Sequence, residues 1–110
     1  MPPTFPPRYT QFLHTLGDAN SYPIAAEFGV YLYSRTHLAE RNETYAITQN
    51  APDYWMIGQN GDIAFFIRRS GDDETLFACD LGALGTMPMV IVATDIDAFI
   101  RQIEQGDYAY

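Results

Sequence analysis

Apolar residues crowd into two runs near the middle of the chain, Tyr54-Trp55-Met56-Ile57-Gly58 and Ile63-Ala64-Phe65-Phe66-Ile67, on either side of Gln59-Asn60-Gly61-Asp62. An Asn-Gly pair between apolar runs predicts a tight hairpin, because both residues tolerate the positive φ that such turns demand. The runs are nearly continuous rather than alternating. Strands of that kind are covered on both faces or lie centrally in a sheet. Ser70-Gly71-Asp72-Asp73-Glu74 predicts a second turn, feeding a third strand at Leu76-Phe77-Ala78-Cys79-Asp80.

The flanking pattern is mostly helical. After an extended lead-in over residues 1–5, Pro6-Pro7 can open a helix, where proline's missing N–H is not needed. Tyr9, Phe12, Leu13 and Leu16 follow at i, i+3, i+4 and i+7, and Gly17 is placed to stop the helix. Asp18 to Pro23 reads as a polar turn, and Phe28 to Tyr33 as a strand rich in β-formers. Ser34 is a candidate N-cap for a second helix to about Thr44, with only Leu38 and Ala39 apolar near its middle; such a helix lies on the surface. Tyr45-Ala46-Ile47 rejoins the fold. Beyond the flexible Gly82 to Thr86, Met87 to Ala93 predicts a last strand. Thr94-Asp95-Ile96-Asp97 resembles a capping box with an acid at the third helical position. Ile96, Phe99, Ile100 and Ile103 then mark a closing helix, ended by Gly106, with a tail at 107–110. This order predicts a single α+β domain over residues 1–110, with a mainly antiparallel sheet and helices packed against it.

Composition narrows the function. The 110 residues are 47% hydrophobic and 15% aromatic, enough to build a core rather than a disordered chain. The net charge is −8, from fourteen acids against six bases, all of them arginine. An acidic chain without a basic cluster is poorly suited to nucleic acid or to anionic membranes; its charge either attracts a basic partner or only maintains solubility. No apolar stretch is long enough to span a bilayer, and no secretory leader pattern stands at the start, so the expected compartment is the cytoplasm. The single Cys79 cannot form an internal disulfide.

Few residues invite catalysis. His37 and Glu40 stand one helical turn apart, but a metal needs three or four ligands, and a solvent-facing pair is the plainer reading. Cys79 would be a nucleophile only with a histidine beside it; within a strand, on the same face as Phe77, it reads as a small buried hydrophobe. The acids are more informative. Asp72, Asp73 and Glu74 are consecutive and are expected to point into solvent, either as a solubilising turn or as a rim for a basic partner. Asp62 and Asp80, next to apolar neighbours, need an exposed edge or a hydrogen-bonding partner. Tyr54 and Trp55 are candidate interface anchors.

The chain resembles the SUKH superfamily, whose members include the fungal Smi/Knr cell-wall regulators. The resemblance runs over roughly residues 5–104. It is carried by Phe5-Pro6-Pro7-Arg8-Tyr9-Thr10-Gln11-Phe12-Leu13 and by Tyr31-Leu32-Tyr33-Ser34 with His37-Leu38 and Asn42-Glu43-Thr44-Tyr45. The hairpin Ala51 to Asp62 and the closing Thr94 to Ile100 complete it. It implies an α+β fold with no catalytic residues and no cofactor. It also implies the role of many bacterial members, immunity proteins that bind and neutralise a cognate toxin domain of polymorphic or contact-dependent systems, often a basic nuclease. In that role Asp62, Asp72, Asp73, Glu74 and Asp80 are the expected electrostatic contacts and Tyr54 or Trp55 the anchors. The alternative is a regulatory or scaffolding protein-interaction module of the Smi/Knr type.

Overall fold

Every strand pairs with its neighbour in sequence. The computed structural model describes residues 5–16, 21–24, 30–69, 72–86 and 88–105. In chain order these hold α1 (Pro7–Leu16), β1 (Ser21–Ile24), β2 (Val30–Tyr33), α2 (Arg35–Thr44), α3 (Ile47–Asn50), β3 (Tyr54–Asn60), β4 (Ile63–Arg68), β5 (Leu76–Asp80), β6 (Val90–Ala93) and α4 (Ile96–Glu104), with one 3-10 turn, Leu81–Ala83, after β5. The described strands form one antiparallel sheet in the order β1-β2-β3-β4-β5-β6. The fold is α+β. The lead-in before Phe5, the helix stop at Gly17, the turn residues Ser70 and Gly71, and the end from Gly106 onward lie outside the described residues.

Continuous apolarity in the central runs corresponds to burial on both faces. The register puts Trp55, Ile67, Phe65 and Leu76 on one face and Tyr54, Met56, Phe66 and Phe77 on the other. On the first face Phe65 meets Phe99 of α4 at 4.9 Å between ring centroids, and Trp55 meets Phe5, which in turn packs edge-on to Tyr9 of α1. The helical stripes behave as their spacing requires, burying Tyr9 and Leu13 from α1 and Ile96, Phe99 and Ile103 from α4. On the second face Met56, Phe66 and Phe77 are also buried, and α2 and α3 pack against β2 and β3.

Several local details depart from the expectations of the sequence. The hairpin is closed by the pair Asn60 and Ile63, so its two loop residues are Gly61 and Asp62, not Asn60 and Gly61. Only Gly61 has positive φ, at 59°, which is the pattern of a type II′ turn. Of the stretch expected to turn from Asp18 to Pro23, residues 18–20 lie outside the described residues and residues 21–23 instead belong to β1, with Pro23 opposite Tyr31. Proline has no N–H for a ladder, and β1 lies at the edge of the sheet, where that lack is tolerated. Tyr45 to Ile47 does not run straight into the sheet but turns into α3. The N-cap of α4 is Asp95 rather than Thr94; its Oδ1 accepts from the Ala98 N–H at 2.8 Å. Ser34 begins α2, yet its side chain makes no capping bond.

The connection between β2 and β3 rests on a polar residue. β2 pairs with β3 only from Gly58 to Asn60, and on the other side of β3 the ladder with β4 shifts by a bulge between Met56 and Gly58. Gly58 is needed there because a Cβ would stand 2.4 Å from the Tyr31 carbonyl oxygen. Beyond that point Asn42, from α2 and only 4% exposed, takes the place of a strand. Its Oδ1 accepts from Met56 N–H at 2.9 Å, and its Nδ2 donates to the Met56 carbonyl at 3.0 Å and to Leu38 O at 2.8 Å. One side chain satisfies both backbone groups of a buried residue.

Two outcomes follow. Asn42→Ala strands the Met56 N–H and C=O in the interior and is expected to cost about 2–4 kcal/mol, read as a lower urea midpoint at unchanged slope. Ala46, between α2 and α3, has φ 52° without being glycine. Ala46→Gly is therefore expected to raise stability by about 0.5–1 kcal/mol, since relief of left-handed strain exceeds the added freedom of the unfolded chain.

Candidate functional site

The acids expected to share a surface fall at two ends of the sheet. Asp62 sits in the β3–β4 turn, and Asp80 pairs with Ile63 at the same end, where the Leu81 N–H also donates to Asp62 O at 2.8 Å. Asp72, Asp73 and Glu74 lie beyond the other end of β4. Six residues of strand separate the groups by about 20 Å, more than twice the screening length at physiological salt, so they act on a partner independently.

Within the β4–β5 turn the three consecutive acids do not all face solvent. Asp72 is exposed. Asp73 instead turns back: its Oδ1 accepts from the Thr75 N–H at 2.9 Å, and its Oδ2 pairs with Arg68 Nε at 3.0 Å. The bonds from Thr75, then the Arg68 guanidinium, hold its carboxyl below the usual aspartate range. Glu74 reaches the start of α1, where its Oε2 accepts from the Arg8 N–H at 3.0 Å, one of the donors a helix leaves unpaired in its first turn. The Arg8 side chain pairs in turn with Asp95 at 3.3 Å and Asp97 at 3.8 Å, linking the starts of α1 and α4. Charge here is used to join elements, which is why like-charged neighbours in sequence can diverge in space.

At the other end the acids are more open. Both Asp62 and Asp80 are exposed, and Asp80 Oδ1 accepts from the Gly82 N–H at 2.8 Å, capping the 3-10 turn. That bond is the partner its apolar surroundings required.

The two expected anchors also work inside the fold. Tyr54 is partly buried on the Phe66 and Phe77 face, with ring centroids 6.1 and 5.4 Å away, and the Arg68 guanidinium lies 5.0 Å from the Phe77 ring. Trp55 points to the opposite face, beneath Arg69, whose guanidinium carbon is 3.9 Å from the indole centroid. Arg69 also donates to Tyr54 O at 3.3 Å. Adjacent residues on a strand cannot anchor one flat partner together. Large apolar residues that are exposed lie elsewhere, at Tyr31 on β2 and at Val90 and Ile91 on β6. The sequence signal for Val90 and Ile91 was present in the uncharged strand around them; for Tyr31 it was one aromatic among many.

Cys79 is buried, and burial, then the nearby Asp80 charge, pushes its thiol up, away from the reactive thiolate. Burial likewise pushes the Tyr9 and Tyr33 phenols up; the Tyr33 hydroxyl donates to Gln59 Oε1. His14 is exposed on α1, and His37 is partly buried on α2. Among the described residues no three of His, Cys, Asp and Glu gather as a metal site, and no helix is long and apolar enough to cross a membrane. Compared with known proteins, the chain matches no family model and no curated protein.

The Asp73 contacts set a pH dependence. Because its folded pKa is depressed, its contribution is present above the unfolded value of about 4 and lost as pH falls through the folded value. Asp73→Asn is expected to lower stability at pH 7 by up to about 1 kcal/mol, as for an exposed pair, and to match the parent protein once the pH is below the folded pKa. Thermal melts across pH 2–7 check this.

Proposed function

We propose that this domain is a non-catalytic protein-binding module, and specifically an immunity protein that neutralises a cognate toxin domain by covering it. The observation that carries the reading is the pair of exposed carboxylates, Asp62 and Asp80, on neighbouring positions at one end of the sheet. Fixed by a tight turn and a strand end, they present negative charge without the entropy loss of ordering a mobile loop. The net charge of −8 and the absence of lysine support a basic partner, as does the resemblance to the SUKH superfamily. Asp73 and Glu74 leave the contact set, since both are held by Arg68, Thr75 and Arg8. Tyr54 and Trp55 leave it as well, Tyr54 packed against Phe66 and Phe77 and Trp55 beneath Arg69.

Occlusion of a basic toxin surface is stoichiometric and needs only complementary charge and shape. Its rate is governed by long-range attraction, so exposed acids at the docking end matter more to association than to dissociation. The protein acts in the compartment where that toxin arrives, which for an immunity protein is the cytoplasm.

The test uses the partner captured from the host with the intact chain as bait. Recovery of one toxin domain at equal stoichiometry supports the reading, and a housekeeping protein in its place favours the regulatory module. With the toxin in hand, Asp62→Arg is expected to slow association about tenfold and flatten its salt dependence. Asp72→Arg, at the far end, is expected to leave the rate within about twofold. The reverse ranking would move the contact to the β4–β5 end.

A further inference from the structure

The one long stretch of this chain without any charged residue runs from Leu81 to Thr94 and contains β6. β6 is the last strand of the sheet, paired on one side with β5 and with no strand on its other side among the described residues. Val90 is 47% exposed and Ile91 66% exposed, and being consecutive they project to opposite faces of the strand. An edge with unpaired backbone groups and apolar side chains is a template for another strand. Exposed edges are commonly blunted with charge; this one carries none. A bulge, at the register shift opposite Leu76 and Phe77, and Pro88, which lacks an N–H, confine the usable edge to its middle.

The occupant is decided by charge. A basic partner gains most at the acidic ends of the sheet, and gains nothing from an uncharged strand. A second copy has the opposite preference. Two chains of net charge −8 repel wherever their acids face each other, and the Leu81–Thr94 stretch is where they can approach with least repulsion. Antiparallel pairing centred on Ile91, on the regular side of the bulge at Val92, is also self-complementary, since Ile91 then meets the second copy's Ile91. We propose that β6 is a self-association edge, on which a second copy of this chain docks antiparallel to make one sheet continuous across two protomers. This goes beyond toxin binding and does not depend on it. The short edge places the contact among small, weak interfaces, with dissociation constants between micromolar and millimolar.

Sedimentation equilibrium on the intact chain, from micromolar to millimolar concentration and at two salt concentrations, tests it. The expected result is a rise toward twice the monomer mass that strengthens as salt increases, because screening removes the repulsion between acidic copies. Ile91→Lys is expected to abolish the rise while keeping the parent's melting temperature. Ile91→Thr, which keeps a β-branched residue in the strand, is expected to weaken it about tenfold. Tyr31→Lys, at the other exposed apolar position, is expected to leave it unchanged. A monomer at every concentration overturns the proposal, as does a dimer insensitive to both Ile91 variants or one that weakens with salt.

Discussion

The three hydrogen bonds of Asn42 hold together what the strand pairing alone leaves open. β3 lies inside the sheet and is buried on both faces, yet β2 accompanies only its second half. Where β2 departs at Tyr33, the Met56 amide and carbonyl would face an apolar interior with nothing to bond. The carboxamide of Asn42 offers a donor and an acceptor at the spacing of a peptide group, and so prolongs the ladder by one rung. In exchange it fixes α2, a helix with little apolar surface of its own; Leu38 and Asn42, one turn apart, are its two buried residues. The Leu38 carbonyl, bonded to the same side chain, ties that turn of helix to the bulge in β3.

Acidic side chains carry out a related task at the ends of elements. Glu74 satisfies the start of α1, Asp95 the start of α4, and Asp80 the 3-10 turn, while Asp73 closes its own turn onto Thr75. Each places a carboxylate where backbone N–H groups are left over, and Arg8 then collects Asp95 and Asp97. The negative charge of the chain is therefore partly structural. Among the described residues the Asp62 and Asp72 side chains carry no such structural bond, and Asp80 caps its turn while staying exposed.

The legible parts of the sequence were those governed by one strong periodicity. The stripes Tyr9 to Leu16 and Ile96 to Ile103 and the central apolar runs all mapped to elements of the expected type, because burial of a whole face outweighs any single neighbour. The less legible parts each hinge on one residue with two roles. Pro23 marks a turn in isolation and an edge strand beside β2. Asn60-Gly61 and Gly61-Asp62 both fit a two-residue loop, and the choice is made by which residues of the flanking strands face each other. Thr94 and Asp95 are both good caps. By composition Asn42 belongs to a polar helix, although its position one turn after Leu38 puts it on that helix's buried side. The divergence of Asp73 from Glu74 could not be read at all, since it depends on Arg68 and on α1, sixty-six residues away from Glu74.

The strictly sequential pairing of β1 through β6 bears on how the chain reaches this state. Each strand finds its partner across one short loop or, between β2 and β3, across α2 and α3, so no pairing waits on a distant crossover. Loop-closure entropy is then met in small instalments, and the β3–β4 hairpin, with its two-residue turn, is the cheapest nucleus from which the sheet can grow in both directions. A polypeptide emerging from the ribosome meets its partners in the order in which it will use them. The α1–Glu74 contact waits for the β4–β5 turn, and the docking of α4, with the Arg8 pairs to Asp95 and Asp97, waits for the last strand, so the helices on the Phe65 face lock late.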